Sequence, residues 1–309
     1  MTQTIWESLK HTYQASVPYS IRLAVWRVED IYINPYLVAL SVALMVSVFI
    51  FEKVLPARMD QKFLSIGFFQ DLIWFNLNFL GQLTLLVLYG NWLSLVYSRN
   101  LSFLTVQAVH AWPKVSRVIL SYVLGDFLAW FHHFMRHKVK TFWAFHTIHH
   151  SQREINFFSD ERFHIMEHVI SSSLVFIPAL MFQINFSFIP ALVFFHEWYK
   201  HIYHANLKTH YGFLKYFMVT PQSHRIHHSV EPRHRDKNFG VIFSVWDRLF
   251  GTQYENYDEY PETGIADPQF PLEKGGGFSL LTTFFKQFLF PFKLIANPER
   301  LAVEVGQNV

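Results

Sequence analysis

Histidine blocks stand on both sides of a long stretch without a single charge, Val169 to Phe195, and this pairing limits the folds open to the chain. Of its 18 histidines, 15 fall between His132 and His228. Side chains that act together must end on one side of whatever the uncharged stretch enters, so the chain has to go out and return within it. Two full spans do not fit there, given a rise of ~1.5 Å per helical residue and a hydrocarbon core ~30 Å thick. The expected solution is a helical membrane hairpin at about 165–201, interrupted by Pro178 and Pro190. Its arms should run into His164–His168 and His196–His204, with a turn near Gln183–Ser187.

Three earlier segments also suit a bilayer. Leu37 to Phe51 carries no charge and is closed by Glu52 and Lys53, and a second apolar region runs from about Leu72 to Tyr97. A third begins near Val118 and leads into the first histidines with Asp126 inside it. A carboxylate is costly in lipid, so Asp126 should face protein. Only 16% of residues are charged, against about 25% in an ordinary soluble domain. The expected architecture is all-α, an integral-membrane helical bundle with about four spans and a helical, His-rich metal-binding cap on one membrane face. Residues 1–35 read as an interfacial lead-in, 36–131 as transmembrane helices, 132–254 as the histidine-bearing domain with its hairpin, and 255–309 as a C-terminal tail. Within that tail LLTTFFKQFLFPFKLI reads as an amphipathic interfacial helix broken at Pro291. Arg136, Lys138, Lys140, Arg153 and Arg162 gather basic charge beside the third and fourth apolar segments, which places the cap in the cytoplasm. A net charge of +3 does not argue for nucleic acid. The absence of Cys removes disulfides, thiolate nucleophiles and iron–sulfur clusters.

The histidines form three blocks: HHFMRH at 132–137, HTIHH at 146–150 and HRIHH at 224–228. Each holds a pair four residues apart, which places two imidazoles on one helical face: His133 with His137, His146 with His150, His224 with His228. His149 and His227 add a ring from the same turn. Neutral imidazole is a common ligand of iron, zinc, copper and nickel, and eight such rings exceed one tetrahedral zinc site and suit two adjacent metals. His204 and His164 stand where the hairpin arms re-enter, and they join the candidate ligands; His201 is a weaker one. Adjacent rings diverge by about 100° on a helix, so His132 should not bind beside His133. Isolated histidines such as His11, His110 and His234 read as surface or interface residues.

From Asp126 to Tyr254 the chain resembles the fatty acid hydroxylase and sterol desaturase superfamily of integral-membrane di-iron oxygenases. The similarity lies in Asp126 ahead of His133 and His137, in Trp143-His146-His149-His150-Ser151, and in Asn156, Arg162, His164 and Glu167. It continues in His204-Ala205-Asn206, PQSHRIHHS at Pro221–Ser229, Asn238-Phe239-Gly240 and WDRLFGT at Trp246–Thr252. Departures are Phe239 for the usual Tyr, Phe131 for a frequent Trp, and no Pro after His164. The resemblance implies O2-dependent hydroxylation or desaturation of an unactivated C–H bond in a lipid drawn from the bilayer. It also implies two iron ions, replaceable by zinc, and electrons from a separate reductase or redox protein. Asp126, Glu154, Arg162, Glu167 and Asp247 are candidates for orienting ligand imidazoles. Competing readings are a membrane metal-binding or transport protein and an inactive zinc-loaded relative. Transport would place ligands along the spans, whereas most histidines here lie outside the apolar runs.

Overall fold

The structure, a computed structural model, describes residues 35–109, 111–182, 190–297 and 299. The expected lead-in and hairpin turn, with His11 and His110, lie outside these residues. Nine α-helices occur among them: α1 (Pro35–Val54), α2 (Ile66–Val96), α3 (Lys114–Lys138), α4 (Lys140–His150), α5 (Ile165–Met181), α6 (Pro190–His204), α7 (Pro221–His227), α8 (Val245–Leu249) and α9 (Phe278–Ile295). No β-sheet forms among the described residues, and the pairing there is limited to isolated bridges such as Met218 with Phe243. The described residues are all-α, as the sequence pattern indicates. By length and composition, α3 is the one helix among the described residues suited to crossing a membrane, and 22% of its most apolar stretch is buried.

Helix α2 starts at Ile66, before the apolar run proper, because its polar first turns have partners. Ser65 Oγ accepts from the Phe68 amide at 3.0 Å and caps the helix. Asp71, fully buried, receives Arg162 at 2.8 Å, Gln152 at 2.6 Å, Asn156 at 2.8 Å and Ser159 at 2.7 Å. A buried carboxylate is tolerable only with such pairing. It ties α2 to the loop that follows α4.

The C-terminal segment corrects the sequence reading, because α9 runs unbroken through Pro291. A proline inside a helix costs about 3 kcal/mol. Here Phe284, Phe290 and Leu294 of α9 are buried with Trp74 of α2 and with Ala144 and Ile148 of α4. Each large apolar side chain buried returns about 1.5–3 kcal/mol, so packing outweighs the lost hydrogen bond. The same cluster aims α4. Ala144 and Ile148, four residues apart, face the core, which leaves His146, His149 and His150 to the other side.

Candidate metal centre

The histidines converge into two buried groups. His133, His137, His146, His150 and His227 bring one ring nitrogen each within 4.8 Å of one another, and so do His149, His204, His224 and His228. Nine of the ten candidate ligands are thus brought together, from α3, α4, α6 and α7, with His228 at the C-cap of α7. Each HxxHH block divides. Its pair four residues apart serves one group, and the middle histidine crosses to the other: His149 joins His224 and His228, while His227 joins His146 and His150. On a helical wheel the outer pair differs by about 40°, and the middle ring lies about 60° to one flank. Two helices facing each other therefore exchange their middle rings.

The donor chemistry fits metal. In the five-histidine group the Nε2 atoms of His133, His137, His146, His150 and His227 are all buried without a hydrogen-bond partner among the described residues. Orphaned buried polar atoms are rare in proteins, and five in one group mark a site for a cation. Three of these rings are fixed from behind: Nδ1–H donates to Phe239 O at 2.9 Å from His133, to Glu167 Oε2 at 2.9 Å from His146, and to Lys237 O at 2.8 Å from His227. Those bonds set the tautomer that leaves a lone pair on Nε2. In the four-histidine group, Nε2 of His204 lies 3.3 Å from His149 Nε2 and 2.7 Å from His224 Nε2, which is 3.0 Å from His228 Nε2. His204 gives its Nδ1–H to Lys200 O at 2.7 Å, so its neutral ring presents a lone pair to this cluster. Lone pairs turned to a common centre are what a bound cation stabilises.

Burial, reinforced by neighbouring imidazoles, holds His146, His149, His150, His224 and His228 well below the ordinary histidine range. Burial takes His227 down to about 4 against the opposing bond to Lys237 O. The rings are neutral at neutral pH, the form that ligates.

The flanking candidates separate. Glu167 touches a grouped ring, His146, and is held by Arg136 Nε at 3.1 Å. Asp126 does not orient an imidazole: it accepts from the Ile242 and Phe243 amides at 3.0 and 3.3 Å and from Trp246 Nε1 at 2.8 Å. Facing protein as expected, it fastens a loop to α3. Arg162 also misses the rings, donating to Ile148 O and Ser151 Oγ, both at 3.1 Å, and pairing with Asp71 and Glu273. It fixes the C-terminal end of α4. His164 lies outside both groups. It caps α5, its Nδ1 accepting from the Met166 amide at 3.2 Å, and its ring packs on Phe145, Phe288 and Phe292. Glu154 receives the Lys62 amide at 3.4 Å and His201 bonds Phe157 O at 3.0 Å. His132 turns away from His133 to the edge of Phe142. His234 is no surface residue: it is 1% exposed and bridges Ser229 Oγ and Glu259 at 2.8 and 3.1 Å. Its partners lie five and 25 residues away, out of reach of a local reading.

The closing motif acquires a physical reason. Asn238 adopts φ 59°, a left-handed conformation that Asn tolerates, and its side chain donates to Ser223 O at 2.9 Å. A Cβ on Gly240 would meet Val219 Cγ2 at 2.7 Å and Phe243 O at 2.9 Å. Asp247 accepts the Phe239 and Gly240 amides at 2.8 and 2.7 Å, and so presents Phe239 O to His133. Asn206 similarly joins Arg225 of α7, at 3.1 Å, to Glu52 of α1, at 2.8 Å. Two charged residues that the sequence reading passed over, Asp160 and Lys200, are packed beside His204; an acidic pair in an aromatic run, FFSDE, was the available signal.

Residues 118–252 match the fatty acid hydroxylase family. The chain is similar to alkylglycerol monooxygenase of Caenorhabditis elegans, 33% identical over 50% of this chain and 30% of the relative. It is 31% identical to the human alkylglycerol monooxygenase over 45% of this chain and 30% of that protein. Ornithine lipid hydroxylase OlsE of Rhizobium tropici is 29% identical over 46% of this chain and 43% of its own length. The matched part of this chain thus spans less than half the length of these relatives. No solved structure matches. All nine grouped histidines fall inside residues 118–252, the part of the chain that is similar to the fatty acid hydroxylase family.

Proposed function

We propose that this chain is an O2-dependent lipid hydroxylase whose nine grouped histidines hold two iron ions, with electrons supplied by a separate reductase or redox protein. The observation that carries this reading is the pair of buried, all-histidine groups inside the fatty acid hydroxylase region. The relatives, named alkylglycerol monooxygenase and ornithine lipid hydroxylase, support a lipid substrate. Iron, when bound, supplies the reactivity toward O2 that side chains lack. The chain's own part is arrangement. His133, His146 and His227 are locked by their Nδ1 bonds, and Glu167, paired with Arg136, is the partner behind His146. Trp143 and Phe239, both buried against His137, and Phe163, stacked on His149 at 4.2 Å, close the rings off from water.

Membrane residence belongs to the same proposal. The bundle has about four membrane segments, α1, α2, α3 and the hairpin of α5 and α6 counted as one, with the histidine-bearing cap on the cytoplasmic face. Exposed Val38, Leu40, Val42, Val46 and Ile50 along α1 support a lipid-facing surface. The lipid enters from the bilayer side.

The test is to incubate membranes containing the protein with lipid extract, 18O2, a reductant and a competent reductase, and to search by mass spectrometry for 18O in hydroxylated lipid. Incorporation is expected, and it should vanish in His149→Ala and His227→Ala. New unsaturation without 18O would reassign the outcome to desaturation. Metal-loaded wild type that oxidises no lipid across a broad panel would replace the enzyme by a structural or transport metal site.

A further inference from the structure

Each histidine group has one ring whose Nδ1 faces a buried carboxylate, and each carboxylate is held by one cation. In the five-histidine group these are His146, Glu167 and Arg136, with separations of 2.9 and 3.1 Å. In the four-histidine group His204 Nδ1, which gives its N–H to Lys200 O at 2.7 Å, lies 3.5 Å from Asp160 Oδ1, and Lys200 Nζ lies 3.4 Å from Asp160 Oδ2 and 2.9 Å from Glu197 Oε2. Asp160 is 2% exposed, and its Oδ2 makes no hydrogen bond among the described residues. The secondary structure produces this arrangement. Lys200 and His204 are four residues apart on α6 and share a face. The turn Phe157–Glu161 packs on α6 and delivers Asp160, and Phe157 O takes the Nδ1–H of His201, which pins the turn to the helix.

We propose that Asp160, clamped by Lys200, is the positioning residue of the four-histidine group, as Glu167 with Arg136 is of the five-histidine group. The two metal positions are then governed by separate carboxylate–cation pairs. A carboxylate behind Nδ1 raises the basicity of Nε2, through a hydrogen bond at His146 and through its charge at His204, whose Nδ1–H goes to Lys200 O, and loss of such a partner typically lowers metal affinity about 10–100-fold. This inference rests on the metal-centre reading above.

The full chain in detergent, loaded with Co(II), is titrated with a competing chelator while metal per chain and the Co(II) absorption spectrum are followed. Wild type is expected to hold two equivalents. Asp160→Asn should weaken one equivalent about 10–100-fold and spare the other. The spectral component it loses should match that lost in His204→Ala and differ from that lost in Glu167→Gln and His146→Ala. Asp160→Glu should restore part of the affinity. Wild-type affinity for both equivalents in Asp160→Asn, or equal weakening of both, overturns the proposal. Lys200→Gln repeats the test should Asp160→Asn not fold: selective weakening supports the proposal, and unchanged or parallel affinities overturn it. A wild type holding fewer than two metals sinks the metal-centre reading itself, whereas two equivalents insensitive to Asp160 and Lys200 sink this inference alone.

Discussion

Replacing Asp247 by Ala removes a carboxylate on which three buried donors and one half-buried hydroxyl converge. Phe239 N and Gly240 N lie 2.8 and 2.7 Å away, Trp130 Nε1 3.0 Å and Thr252 Oγ1 2.6 Å. A buried donor left without a partner costs about 1–3 kcal/mol, so the three buried ones give about 3–9 kcal/mol. Burial pushes the Asp247 carboxyl up, which shows that keeping its charge inside is itself costly and offsets part of that loss. The expected destabilisation therefore lies in the lower part of that range, about 3–4 kcal/mol, a large share of the ~5–15 kcal/mol that holds a typical domain together. Asp247→Asn is the graded case. Its oxygen keeps the three donors now on Oδ1, while its amide opposes only Gly240 N–H, for a cost of about 1–3 kcal/mol. The effect should also reach the metal centre, because Phe239 O holds His133. Thermal unfolding in detergent and metal retention after chelator challenge measure both consequences. Wild-type stability and metal content in Asp247→Ala would refute the account of this loop.

Other outcomes follow from the same geometry. His164→Ala should keep both metals yet lose about 0.5–2 kcal/mol of stability with the cap of α5, and His164→Asn should recover most of it; loss of one metal equivalent would return His164 to the ligands. His234→Ala should lower the melting temperature through its lost bonds to Ser229 and Glu259 while leaving metal content unchanged. The folded pKa of His227 is near 4 and its unfolded value is about 6.5, so the unfolded state binds the extra proton between these limits. Metal-free protein should therefore lose stability as pH falls through that window, by up to about 1.4 kcal/mol per pH unit from this ring, and gain nothing further above pH 7; a flat pH profile contradicts the burial. Cysteines introduced at exposed Arg153 and Arg233 should react with an impermeant thiol reagent from one membrane face, and labelling from opposite faces would break the assembled site.

Local spacing in the sequence determined the helices that carry the histidines. A pair four residues apart shares a face whatever surrounds it, so His133 with His137, His146 with His150 and His224 with His228 each entered one group together. The outward turn of His132 followed from the same rule. Tertiary structure decided how rings from different helices were divided. The crossing of His149 and His227 depends on α4 and α7 facing each other, and α4 is aimed by Ala144 and Ile148 packing against α2 and α9, helices far away in the chain. The charged partners were equally out of reach. A carboxylate in an apolar run announces that it needs a partner and does not name it, so Asp126 is found holding Ile242, Phe243 and Trp246, whereas Glu167 is found on His146. The proline in α9 shows the same limit from the other side. Its local cost is legible, but the burial of Phe290 and Leu294 that overrides it exists only once Trp74, Ile148 and α9 are folded together.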